Sequence, residues 1–196
     1  MFRSVFSGPD APSFEPEDID SYLALRGRID VPVAAGENEF GLEGFRELLR
    51  AGALDIVQPD ACRAGGISAC AEVGHLAQQF NASVATHTWS DAVALVANAH
   101  VVASLPNGLT VEMDQTGNAL IDQLLVEPLA VHDGLLHLPK GPGLGIEIDP
   151  AAIARLTVPA DAAVTDGNYS DMVFGASYLG SAPPYRAATL ETADAR

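Results

Sequence analysis

Leu54-Asp-Ile-Val-Gln-Pro-Asp60 is a short β-type apolar run that closes on an acid. The turn Arg63-Ala-Gly-Gly66 follows it, and then a helical stretch from Ile67 to Phe80 carries Cys70, Val73, Leu76, Ala77 and Phe80 on one side. The same unit recurs to either side, over about Ile29 to Met113. Upstream, Val31-Pro-Val-Ala-Ala-Gly-Glu37 leads into Leu42-Glu-Gly-Phe-Arg-Glu-Leu-Leu-Arg50, where Phe45, Leu48 and Leu49 stand at i, i+3 and i+4. Gly52 then stands where a left-handed C-terminal cap belongs. Downstream, Ser83-Val-Ala-Thr-His87 precedes a helix from roughly Asp91 to Leu105 that is apolar along its buried side, and Gly108-Leu-Thr-Val-Glu-Met113 forms the fourth run.

Strands that alternate with helices of this length specify parallel βαβ units, because parallel neighbours need a crossover that returns the chain to the same end of the sheet. The closing residues Glu37, Asp60, His87 and Glu112 are spaced 23, 27 and 25 residues apart, one βα unit each. Right-handed crossovers bring all four to one rim. That rim is where active sites sit in a (β/α)₈ barrel. A doubly wound sheet would gather them at one edge too, so the spacing alone leaves both α/β architectures open.

Composition narrows the partners. Lys+Arg 10 against Asp+Glu 26 gives a net charge of −16, with Lys140 the single lysine. A nucleic acid needs a basic stripe to displace its counterions, and an anionic membrane surface needs one as well, so neither is an expected partner. Hydrophobic residues at 48% and charged residues at 18% describe a core-forming chain. No apolar run reaches the roughly 18 residues of a membrane span, and the N-terminus lacks a signal peptide's apolar stretch, so a cytoplasmic location is the expectation. Cys62 and Cys70 match neither a zinc nor a redox spacing and are expected to be small buried side chains without a disulfide.

A carboxylate and an imidazole at the ends of adjacent parallel strands can form a dyad. Asp60 would fix the tautomer of His87 and stabilise its charged form, making His87 a candidate general base. The plain alternative is a strand-end histidine satisfied by a neighbour. Glu37 is an oxygen ligand for a hard cation such as Mg²⁺ or simply a solvated acid at a loop start. Glu112, in an apolar run, is either a carboxyl held protonated to donate to a developing oxyanion or an acid facing water. His75 and His100 fall on helices and read as surface or packing residues. Arg63 holds an anionic group or pairs with a rim acid. The glycines of Gly141-Pro-Gly-Leu-Gly-Ile-Glu-Ile148 precede no helix of the kind a phosphate loop demands.

Pro32-Val-Ala-Ala-Gly-Glu-Asn38, Gln58-Pro-Asp-Ala-Cys-Arg-Ala-Gly-Gly-Ile67, Ala85-Thr-His-Thr-Trp89 and Pro142-Gly-Leu-Gly-Ile-Glu147, in that order, resemble the C-terminal half of the enolase superfamily in its mandelate racemase/muconate lactonizing enzyme family. The resemblance covers roughly residues 16 to 150. It implies the C-terminal half of a (β/α)₈ TIM-type barrel, about the last four to five βα units, followed by an irregular C-terminal segment. It also implies that Glu37 is the last of three carboxylate ligands to Mg²⁺. By the same resemblance Asp60 and His87 are the dyad of the sixth and seventh strands, His87 moves the proton α to a carboxylate, and Glu112 hydrogen-bonds the enediolate oxygen. Arg63 and Trp89 are the substrate-binding candidates, and Thr86-His-Thr-Trp-Ser-Asp91 resembles enzymes acting on sugar acids by dehydration, cycloisomerisation or racemisation.

The sequence departs from that pattern at its start. The second-strand Lys-x-Lys pair and the third-strand Asp of the family have no counterpart, and Phe14-Glu-Pro16 echoes the fourth-strand motif only in part, leaving Glu15 as a second candidate ligand. The expected organisation is an atypical segment over residues 1–15, a partial barrel over 16–113, a segment over 114–160 that packs on barrel and capping domain, and a loosely ordered tail over 161–196. Such a start fits a truncated or frameshifted reading frame. Two open sheet edges predict a homo-oligomer or a complementing chain, and the competing reading is an inactive barrel remnant that acts only by association.

Overall fold

The computed structural model describes residues 18–115 and 117–157. The chain divides into two units, Met1–Leu156 and Thr157–Arg196, and every described element belongs to the first. The expectations for residues 1–15 and 161–196, and for Glu15, lie outside the described residues.

Four parallel strands lie side by side in chain order: β1 (Ala34–Ala35), β2 (Ile56–Val57), β3 (Ser83–Thr86) and β4 (Gly108–Val111). A helix joins each to the next: α2 (Glu43–Ala51), α3 (Ile67–Gln79) and α4 (Ala92–Ser104). The described residues therefore form an α/β architecture with a four-stranded parallel sheet of the kind that makes up part of a barrel. β1 and β2 are only two residues long, shorter than their apolar runs, so Glu37 and Asp60 fall in loops beyond the strand ends.

The core lies between sheet and helices. Phe45, Leu48 and Leu49 of α2, Cys70, Val73, Leu76 and Ala77 of α3, and Val57 and Val84 of the sheet are all buried in it. Gly52 closes α2 with φ 70°, donating its N–H to the carbonyls of Leu48 and Leu49. Gly36, with φ +114°, is required for a second reason: a Cβ there would lie 2.5 Å from the Phe45 ring. Asp91 caps α4 by accepting the Ala94 N–H at 2.9 Å.

An additional helix, α1 (Ile19–Arg26), precedes the sheet, capped by Asp18 through the Ser21 N–H. After β4 come α5 (Ala119–Asp122), an antiparallel hairpin β5 (Ala130–His132) and β6 (Leu135–His137), and α6 (Pro150–Leu156). Asp133 and Gly134, at φ 53° and 76°, supply the two left-handed residues of a tight hairpin turn. Pro150 opens α6 while Asp149 accepts the Ala151 N–H, so this segment is less irregular than its Pro/Gly content suggests.

Two expectations are corrected. Phe80 is 39% exposed because α3 ends at Gln79 and Phe80 has left helical geometry, so the helical period no longer aims it inward. Cys62 is exposed on the loop after β2, whereas Cys70 is buried and its thiol is pushed up to about 12, chiefly by that burial. Among the described residues no helix is long and apolar enough to cross a membrane.

Candidate active site

The parallel sheet delivers its C-terminal ends to one rim, and four ionisable groups meet there. His87 Nδ1 lies 3.0 Å from Asp60 Oδ2. His87 Nε2 lies 3.9 Å from Glu37 Oε2 and 3.9 Å from Glu112 Oε2. The dyad is sheltered, with 17% of the His87 and 8% of the Asp60 side chain exposed. Glu37 and Glu112, at 52% and 46%, form the wet side of the mouth.

The hydrogen bonds fix the chemistry of the pair. Burial alone would raise the Asp60 pKa, but hydrogen bonds from Asn98, from the Cys62 N–H and from His87 outweigh it and hold the carboxyl below its ordinary value. An ionised carboxylate can only accept. Asp60 Oδ1 takes the Cys62 N–H at 2.9 Å and an Asn98 N–H at 3.0 Å, so Oδ2 takes the proton on His87 Nδ1. In the neutral ring Nε2 then carries a lone pair directed toward Glu37 and Glu112. Such a nitrogen can accept a proton from a bound carbon acid and keep the resulting imidazolium beside a carboxylate.

The remaining rim residues fall into place around this pair. Glu112 Oε2 accepts the Thr88 N–H at 3.0 Å, tying the loop after β4 to the loop after β3. Among the described residues Arg63 does not pair with a rim acid. Its guanidinium donates to Asn38 Oδ1 and lies over the Phe40 ring at 5.7 Å. Trp89 is 40% exposed two residues beyond His87. His75 is exposed on α3, and His100 Nε2 meets the Leu144 carbonyl at 3.2 Å, so neither joins the rim. Asn98, Asn38 and Thr88 were not singled out in the sequence. For Asn98 the available signal was a lone amide inside an otherwise Ala/Val/Leu helix face.

Among the described residues no group of three or more His, Cys, Asp or Glu side chains is arranged to hold a metal ion. A hard divalent cation usually draws on more than one protein carboxylate, and here Glu37 offers one, half in solvent. The described residues therefore do not fit a complete Mg²⁺ site.

A parallel βα sheet with an Asp–His pair on its C-terminal rim defines an α/β protein of the kind that makes up part of a barrel. The Enolase C-terminal domain-like family model matches residues 12–152, and the chain belongs to that family. It is 36% identical over 152 residues to a D-galactarolactone cycloisomerase of Agrobacterium fabrum, covering 74% of this chain and 40% of that protein. A D-xylonate dehydratase of Haloferax volcanii is 32% identical over 138 residues, covering 70% of this chain and 34% of that one. Among solved structures, a mandelate racemase/muconate lactonizing enzyme from Sulfitobacter sp. superposes with a TM-score of 0.65 at 35% identity, over 70% of this chain and 34% of that chain. The chain thus spans about two fifths or less of the length of these relatives.

Proposed function

We propose that this chain carries the general-base side of a site that removes the proton α to the carboxylate of a sugar acid. The observation that carries the reading is the His87 Nδ1–Asp60 Oδ2 contact at 3.0 Å, with Nε2 left open toward the mouth. In the proposed step the substrate Cα–H bond breaks, its proton passes to His87 Nε2, and its electron pair passes into the carboxylate as an enediolate. Asp60 stabilises the imidazolium. Glu112 hydrogen-bonds the enediolate oxygen, while Arg63 and Trp89 contact the rest of the substrate. Return of the proton to the same face of that carbon gives only exchange, protonation from the opposite face by another group gives racemisation, and delivery of the proton to a leaving hydroxyl gives dehydration. The named cycloisomerase and dehydratase relatives support a sugar acid as the substrate class.

Mg²⁺ enters this reading through the family resemblance, with Glu37 as its ligand, and the step above draws only on the protein's own groups. The proposed setting is the cytoplasm. There residues 16–113 act as the barrel part and 114–160 as the part packed on it, in an oligomer or with a complementing chain.

Exchange of substrate α-protons with deuterated solvent, followed by NMR over a panel of sugar acids with and without added Mg²⁺, tests the reading. We expect exchange that disappears in His87→Ala. Exchange untouched by that substitution, or none across the panel, overturns it. The second reading, a chain that acts only by association, is favoured by the incomplete metal-ligand set and by β1 and β4 lying at the edges of the described sheet. A monomer that unfolds cooperatively in size-exclusion and melting experiments counts against it.

A further inference from the structure

Asn98 lies mid-way along α4 and is fully buried in a helix whose other buried residues are Ala, Leu and Val. Its amide is committed on both sides. Oδ1 accepts the Ala61 N–H at 2.9 Å, while Nδ2 lies 3.0 Å from Asp60 Oδ1, 3.0 Å from the His87 carbonyl and 3.1 Å from Thr88 Oγ1. Two partners belong to the loop after β2 and two to the loop after β3. Reversing the amide would set its oxygen against a carboxylate and a carbonyl, and its N–H groups against an N–H. The orientation is therefore determined by the surroundings.

Packing alone does not call for this residue. An apolar side chain of similar volume would fill the space with no polar group to satisfy, and a buried amide is tolerated only when its hydrogen bonds are made. What the amide adds is a link between the two halves of the dyad. It grips the Asp60 oxygen that His87 does not use, and it grips the backbone that carries the imidazole.

We propose that Asn98 is a positioning residue for the base: it locks Asp60 and the His87 backbone at a fixed separation, so that Nδ1–H stays on Asp60 and Nε2 stays bare toward the mouth. This rests on the reading of His87 given above and deepens it. The position of Asn98 among the donors that hold the Asp60 carboxyl low supports the same conclusion.

The test uses the full chain labelled with ¹⁵N-histidine and ¹³C-aspartate, in wild type, Asn98→Leu, Asn98→Ala and Asn98→Ser, with His87 assigned by its absence in His87→Asn. In its neutral form the wild-type His87 is expected to show the Nδ1–H tautomer alone. Asn98→Leu and Asn98→Ala are expected to show mixed tautomers, and their Asp60 carboxyl should titrate higher than in the wild type, as loss of one donor to a carboxylate implies. Asn98→Ser, which keeps one O–H donor in less volume, should recover part of both effects and covers the case in which the larger change prevents folding. Where exchange is measured, kcat should fall roughly 10- to 100-fold with KM little changed, the size expected when a group that orients a reactive residue is removed. A folded Asn98 variant with wild-type tautomer and wild-type Asp60 titration overturns the proposal. Wild type without exchange but with the tautomer effect intact removes the base reading and leaves the positioning standing, so the two failures are distinguishable.

Discussion

Asp55 and Asp60 flank the same two-residue strand, β2, and serve opposite ends of the sheet. Asp55 accepts the Val33 N–H at 2.9 Å and pairs with Arg26, whose guanidinium also reaches the Gly52 carbonyl. One carboxylate thus joins α1, the approach to β1 and the turn after α2. Every partner there is a fixed donor or a permanent cation. Asp60 meets a backbone N–H and an amide too, but its third partner is an imidazole with a second nitrogen turned to the mouth. The difference teaches that residue type alone does not separate a clamp from an acid that faces the rim, even though Asp60 is the more buried of the two. What separates them is whether the hydrogen-bond chain ends inside the protein or continues to a titratable atom at the rim, which is the division of labour expected between the two ends of a barrel strand.

Exchanging each aspartate for asparagine breaks the comparison most sharply. Asp60→Asn should lower α-proton exchange by about 10²- to 10⁴-fold, the usual worth of a general base together with the group that sets its tautomer, together with a lower melting temperature from the lost charge-assisted hydrogen bonds. Asp55→Asn should leave exchange per folded molecule unchanged. Measuring rate and melting temperature on both variants decides the matter: equal rate losses would mean that the two ends are not functionally distinct.

Asp55→Asn carries the second effect, on stability. Loss of a charged acceptor from the Val33 N–H should cost about 1.5–3 kcal/mol, while the Arg26 pair, partly in solvent, adds a smaller share. Urea unfolding should therefore show a lower midpoint with an unchanged slope.

The pH dependence is smaller and has a defined sign. Burial would raise the Asp60 pKa, the hydrogen bonds from Asn98, Cys62 and His87 lower it further, and its folded value lies below the unfolded one. The stability this contributes is complete above the ordinary carboxylate value of about 3.9 and is lost as pH falls through the folded value. The stability difference between wild type and Asp60→Asn, followed by melting temperature, should be constant near neutrality and shrink below that point. A difference that grows on acidification contradicts the bonding described for Asp60.

The same contrast explains what the sequence made legible. The βα period shows in Phe45, Leu48 and Leu49, in Cys70, Val73, Leu76 and Ala77, and in Gly52, because helix faces and caps are local patterns. Convergence of Glu37, Asp60, His87 and Glu112 on one rim follows from that period and the handedness of parallel crossovers. α1 is hard to read because it is short and none of its residues is fully buried, although Ile19, Tyr22 and Leu25 pack against the core. Leu135-Leu-His-Leu-Pro139 reads as one of several small strands or irregular connections, and its pairing with β5 through the Asp133-Gly134 turn is obscured by the surrounding prolines and glycines. Asn98 escaped for a different reason. Its partners lie 37 and 38 residues away at Ala61 and Asp60, and no local pattern reports a hydrogen bond across that distance.

Arg63 gives the smallest and most local test, because it stands on the open rim where the clamp logic ends. It follows Asp60 by three residues, yet its side chain is exposed and points toward the loop after β1, donating to Asn38 Oδ1 and lying over Phe40. An exposed contact of this kind contributes little to folding, so Arg63→Ala should shift stability by no more than about 0.5 kcal/mol. A guanidinium has five N–H donors, and the Asn38 contact uses one, leaving a fork suited to a carboxylate. For a sugar-acid substrate held there, Arg63→Ala should raise KM by about tenfold while kcat stays within a factor of a few, the signature of binding shared equally by ground and transition states. Arg63→Lys should recover only part of the loss, since a single ammonium cannot present the planar pair of donors. A fall in kcat with unchanged KM would overturn the proposed substrate-holding role of Arg63 and count it instead among groups that act on the reacting atoms.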